Sequence, residues 1–161
     1  MIRLRAFVRD ESGAAAAEMA LMLPLLLIMM FGGFEAGHYF YTEHRIVKAV
    51  RDGARYAGRL PFDAYDCAGG TAARASDIQA VTRTGSIQGT TPLIKNWAAS
   101  DIDVNVTCAD MASGIFTGNG DKAAIVTVAA TAPYPSLFGA LGLLDADINV
   151  AANAQAVVNG L

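Results

Sequence analysis

The chain has 161 residues, 53% of them hydrophobic and 17% charged, with a formal net charge of −3, so one modest core plus one specialised segment is expected. No block of like charges occurs, and the basic footprint that nucleic-acid binding needs is missing, which sets nucleic acid aside as a partner. The apolar excess is concentrated in the first third, ahead of a part with ordinary soluble composition.

Residues 1–13 are short and polar and carry Arg3, Arg5 and Arg9. Over 14–34 the one ionisable side chain is Glu18, and about 20 apolar residues suffice for a helix to cross a hydrocarbon core about 30 Å thick. A transmembrane helix is predicted there. The arginines put the N-terminus in the cytoplasm and everything past about residue 35 outside. A lipid-facing carboxylate costs about 2.5 to 3.5 kcal/mol, so Glu18 needs a reason. A secretory signal peptide fits poorly, because "FGGFEAGHYF" offers no good small-residue cleavage site. A plain signal anchor fits in length but leaves Glu18 unexplained except as a residue close enough to the interface to stay wet. Pro24 removes a backbone hydrogen bond and favours a kink or local melting, unless it is simply a tolerated membrane proline.

Beyond the membrane, Ile46, Val47, Val50, Ala54 and Ala57 share one helical face, with Arg45, Lys48, Asp52 and Arg55 mostly opposite. This predicts an amphipathic stem over 35–58, stopped by Gly58 and Pro61. Gly32, Gly33 and Gly37 interrupt the run, either for close packing or bending or as ordinary membrane glycines. Unbroken over 14–57, the helix would be about 65 Å long.

Residues 59–161 form a head. "SDIQAVTRTG" predicts a short helix with a capping box of Ser76 and Gln79 and a stop at Gly85, and a brief turn follows Pro92 around Trp97. The period then changes to two. In "DIDVNVTC", Ile102, Val104, Val106 and Cys108 point one way; "AAIVTVAAT" is apolar on both faces and suits a central strand; in "DINVAANAQAV", Ile148, Val150, Ala152, Ala154 and Ala156 point inward. The expected fold class is α+β: a long N-terminal transmembrane/stem α-helix packed on a small C-terminal antiparallel β-sheet head, with the "SDIQAVTR" helix sharing the cover. Cys67 and Cys108 are either a disulfide or two free thiols, and export favours the disulfide. "YPSLFGALGLL" either rests on the core or forms an exposed patch.

In "GAAAAE", Glu18 is the fifth residue after Gly13 and the polar leader precedes the glycine. This resembles the processing site of type IV pilins and pseudopilins. The longer run "GAAAAEMALMLPLLLIMMFGGFEAGHYFY" followed by "HRIVKAVRDGARYAG" resembles TadE-like proteins, the pseudopilins of tight adherence (Flp-type, type IVb) pilus systems. The resemblance covers residues 9–58 and the head only in general pattern. It implies a pilin-like fold and a prepilin peptidase that cuts after Gly13, leaving Ala14 as the new N-terminus and Glu18 as an acid that sets register between helices. The roughly hundred residues beyond the helix set the chain apart from the short major Flp pilins and imply a minor pilin supporting pilus biogenesis and surface adhesion. Implied partners are the peptidase, other pilin subunits and assembly machinery through the N-terminal helix, and membrane lipid. The implied location is the bacterial inner membrane, single pass, with incorporation into a surface pilus as a further step. Met19 stands where the major pilins often carry an aromatic or bulky apolar residue, which sets the chain apart from them and not from the TadE group.

No enzyme is expected. His38 and His44, six apart on a helix, point different ways and make no zinc pair; there is no phosphate loop and no Gly-x-Ser-x-Gly elbow. Asp101 and Asp103 read as a solvated strand edge rather than a calcium site, and "TGNGD" reads as a turn. No metal or cofactor is implied. The remaining alternative is an uncleaved single-pass membrane-anchored extracytoplasmic binding module, which needs neither processing at Gly13 nor Glu18.

Overall fold

The computed structural model describes residues 11–111, 113–117, 120–140, 142 and 148–160. Most of the leader, with its three arginines, lies outside them, as do parts of "TGNGD" and "YPSLFGALGLL".

Helix α1 spans Glu11–Ala57 and stays helical through Pro24. The chain divides into two compact units, Met1–His38 and Tyr39–Leu161. In the first, α1 is apolar and exposed around its circumference, with Leu21 79%, Ile28 70% and Met29 68% exposed. A helix apolar on all sides belongs in hydrocarbon or among other helices.

In the second unit one face of α1 is buried through Ile46, Ala49, Val50, Ala54 and Ala57, the three-and-four spacing of a core-facing helix. Val47, grouped with that face from the sequence, is only half-buried. The helix ends as expected: the Gly58 N–H donates to the Ala54 carbonyl at 2.9 Å, and Leu60 donates to Ala57 at 3.1 Å. Pro61 then forbids continuation. The Tyr65 hydroxyl reaches back to donate to the same Ala57 carbonyl at 2.6 Å, a second bond to an acceptor at the helix C-terminus.

Tyr65 belongs to a hairpin that periodicity did not reveal, β1 (Tyr65–Asp66) paired with β2 (Thr71–Ala72). Two residues per strand are too few to show alternation. Helix α2 follows (Ala75–Thr84) and stops at Gly85, whose φ of 81° is left-handed and whose N–H donates to Val81. The expected capping box does not form. The N-cap is Arg74, with no side-chain cap bond, so Ser76 falls inside the helix. Gln79 reaches instead to the Ile102 carbonyl, donating at 2.8 Å.

Strands β3 (Ile102–Asp110), β4 (Lys122–Pro133) and β5 (Asn149–Val157) form an antiparallel sheet in the order β3-β4-β5. The register sets Val106 beside Val126 and Val126 beside Ala156, so these residues share the inner face. Val126, Val128 and Ala130 of the central strand join Ile46, Val50, Ile78 and Trp97 in one core. The other face of β4, also apolar in sequence, stays only half-buried at Ile125, Thr127 and Ala129. Its cross-strand neighbours there include Asn105, Asn153 and Gln155. Ile148, expected inward, is 42% exposed. It precedes β5, and its carbonyl accepts the Tyr134 N–H at 2.8 Å while its side chain lies beyond the covered part of the face. Tyr134 is buried against Tyr39, with ring centroids 5.3 Å apart; Leu137, in the four-residue helix α3 (Leu137–Ala140), is exposed.

The closest approach of α1 to α2 is at Gly53, where an added Cβ would collide with the Thr82 hydroxyl and lie 3.1 Å from the Thr82 Cβ. Thr82 is fully buried and donates to the Ile78 carbonyl at 2.8 Å, so it has little room to yield. Gly53→Ala is expected to destabilise the head by about 1 to 3 kcal/mol through overpacking. Urea denaturation of the full chain in micelles measures this, and adding Thr82→Ala should recover part of the loss.

Burial, reinforced by the neighbouring Tyr56 phenol, pushes the Tyr65 pKa from 10.0 up to about 12. The folded chain therefore keeps a proton that the unfolded chain releases near pH 10. The stabilisation is complete below pH 10 and is lost as pH rises from 10 to about 12. Tyr65→Phe should cost about 1 kcal/mol at neutral pH and flatten the alkaline fall in stability, as compared by urea midpoints at pH 7 and 11.

Candidate functional site

The positions that carry the functional reading lie on α1. Gly13 and Ala14 are exposed helical residues, and a Cβ added at Gly13 would meet nothing within 4 Å. Glu18 is exposed, one turn beyond Ala14 and on the same side of the helix. Its neighbours in sequence are apolar and open, with Met19 64% and Met22 60% exposed. The carboxylate thus sits on an exposed apolar surface and has no ion-pair partner among the described residues. Helix residues Gly13–Ala57 are long and apolar enough to cross a membrane.

Cys67 and Cys108 are joined by a disulfide, Cα to Cα 5.6 Å, across 41 residues of sequence. Cys67 follows β1 and Cys108 lies on the inner face of β3, so the bond fastens the hairpin along the β3 edge. The Val106 N–H donates to the Gly70 carbonyl at 3.3 Å beside it, and Gln79 occupies the Ile102 carbonyl further along. Both β3 groups, the Val106 N–H and the Ile102 carbonyl, point away from β4, so the β3 edge is engaged at these two points.

Asp101 and Asp103 do not combine into a cation site. The Asp101 carboxylate lies in a turn before β3 and accepts the Ala98 N–H at 3.0 Å, while Asp103 lies on the outer sheet face. No group of three or more His, Cys, Asp or Glu able to hold a metal occurs among the described residues.

Residues 13–55 match the model of the TadE-like protein family. Over this segment the chain is similar to TadE-like proteins. The match begins at Gly13 and lies wholly within α1, so it takes in Ala14, Glu18 and Pro24 and leaves the head outside. No curated protein and no solved structure matches the chain. The similarity supports an association with the tight adherence pilus system, and one helix long and apolar enough to span a membrane, followed by small antiparallel sheets, is consistent with a pilin-like fold.

The disulfide closes a loop long enough for its loss to cost about 3 to 4 kcal/mol through the unfolded state. The Cys67→Ser/Cys108→Ser variant should show that drop in urea unfolding while far-UV circular dichroism keeps the signal of α1. Thiol titration of the denatured, unreduced native protein should find no free thiol.

Proposed function

We propose that this TadE-like protein is a minor pilin, or pseudopilin, of a tight adherence pilus: a structural, non-catalytic subunit processed after Gly13 by a prepilin peptidase. It enters the assembly through its N-terminal helix and supports pilus biogenesis and surface adhesion. Before assembly it sits in the bacterial inner membrane, with its N-terminus in the cytoplasm and its head outside.

One observation carries this reading: the family match opens at Gly13, and Glu18, five residues on, lies exposed on an apolar helix surface one turn from Ala14. Cleavage after Gly13 turns Ala14 into a charged amine, costly in hydrocarbon. The Glu18 carboxylate, of the same or a neighbouring chain, then neutralises it as helices move from lipid into a bundle. Because a paired buried charge is better at specifying register than at adding stability, the pair sets the axial stagger between subunits. Within one chain the new helix would begin at Ala14 with its acid in the second turn, where the positive end of the helix dipole also favours a negative charge.

The test is the mass of the mature N-terminus in membranes with and without the peptidase, combined with Glu18→Ala. The expected outcome is a chain beginning at Ala14 only when the peptidase is present. Glu18→Ala should be cleaved and inserted normally yet support clearly fewer pili and less surface adherence. A functional chain that retains residues 1–13 would point to an anchored binding module instead, and unchanged piliation by Glu18→Ala would remove the assigned role of the acid.

A further inference from the structure

The two edges of the three-stranded sheet are treated differently. Along β3 two of the outward-pointing groups, the Val106 N–H and the Ile102 carbonyl, are occupied by Gly70 and Gln79, and the disulfide holds the hairpin in place. Along β5 they are not. The bonds from Tyr134 N–H to Ile148 and from Val158 N–H to Ala124 bracket an unbroken register, so the even-numbered residues of β5 bond to β4. Antiparallel ladders alternate, so the main-chain groups of Ala151, Asn153 and Gln155 turn outward. Among the described residues, the backbone bond on this outward side is made past the end of the strand, from the Asn159 N–H to the Gly58 carbonyl at 2.9 Å. Natural edges are usually blunted by charge, proline or a bulge. β5 carries no charged residue and no proline, and its pairing has no bulge.

The open edge borders a groove of about 300 Å³ lined by Ala154, Gln155 and Ala156 of β5 and by Arg51, Ala54 and Arg55 of α1. The alanines leave space where a further strand would lie. Arg51 and Arg55 are exposed and one helical turn apart, about 6 Å along the axis. Alternate side chains of a strand repeat at about 6.6 to 6.8 Å, so two carboxylates two residues apart match the two guanidinium groups. Arg51 has no ion-pair partner among the described residues, and Arg55 has a loose one, Asp52 at 3.7 Å, with both side chains largely in solvent. Such an exposed pair is weak and yields readily to a better partner.

We propose that the β5 edge is a docking site for an extended acidic segment of another polypeptide, which adds a fourth strand to the sheet and directs alternate carboxylates at Arg51 and Arg55. A second copy pairing β5 with β5 is disfavoured. It would bring two sets of these arginines together on one face with no acid on either strand to offset them. The proposal stands on the head alone and does not depend on processing at Gly13.

The probe is a synthetic ten-residue peptide with aspartate at alternate positions between valine and threonine, titrated into the full chain in detergent micelles. The expected result is saturable binding that weakens with salt, is lost when aspartate is replaced by lysine, and falls at least tenfold, about 1.4 kcal/mol, in Arg51→Glu/Arg55→Glu. N-methylation of alternate peptide residues, which removes ladder donors without touching the protein, should abolish it. So should Asn153→Pro, which deletes an outward N–H and leaves the β4 ladder intact. Absence of binding, or equal binding by the N-methylated peptide, overturns the proposal. Self-association that Asn153→Pro abolishes and the acidic peptide does not compete would assign the edge to a second copy and overturn it equally.

Discussion

The packing of one stripe of α1 against the inner face of the sheet is the contact on which the head depends. Ile46, Val50, Ala54 and Ala57 meet Val126, Val128 and Ala130, and neither partner has another way to bury that surface. A three-stranded sheet needs its apolar face covered, and among the described residues the one other helix of more than one turn, α2, is ten residues long and meets α1 alongside Gly53. Small residues let the layers approach. Ala49, Ala54 and Ala57 keep the helix low on the strands, and Gly53 admits the α2 backbone at Thr82. Trp97 closes the far side with its ring buried and its indole N–H donating to the Thr131 carbonyl at 3.0 Å.

The same helix serves two solvents. Over its first part every side is apolar and open; from Tyr39 onward one side is packed and the opposite side carries His44, Lys48, Arg51 and Arg55. A change of medium along a continuous helix is what a subunit needs if it must rest in lipid and still present a folded head to water. The TadE-like match runs across this division, from residue 13 to residue 55, taking in the packed stretch of the helix as well as the open one and ending before the sheet.

Much of this was legible in the amino-acid order because the relevant signals are local. The apolar run, the three-and-four spacing of Ile46 to Ala57, the stop at Gly58 and Pro61, and the alternation in β3 and β5 each reflect a period within one element. The central position of β4 followed from its unbroken apolar character. Errors arose where the deciding contact is distant in sequence. Ser76 and Gln79 have the spacing of a capping box, but Gln79 is drawn to Ile102, 23 residues away. Ile148 keeps the inward parity of β5 yet lies past the cover. The cysteine spacing left disulfide and thiols both open, since 41 residues of separation say nothing of distance. Gly13 and Glu18 were visible because their relation is a short count along the chain. Arg51 was not singled out, because its neighbourhood depends on which strand ends up at the margin of the sheet.

The hairpin stapled to β3 makes the sheet polar in the sense that a ribbon with one sewn hem is polar. Strand addition of the proposed kind would use the β5 margin, because the hairpin lies along the other. A subunit of the proposed kind, concentrated at a membrane before use, would thereby be kept from polymerising through its β-structure: extension of a fibre would be left to the helices, and the head would dock once without nucleating an aggregate.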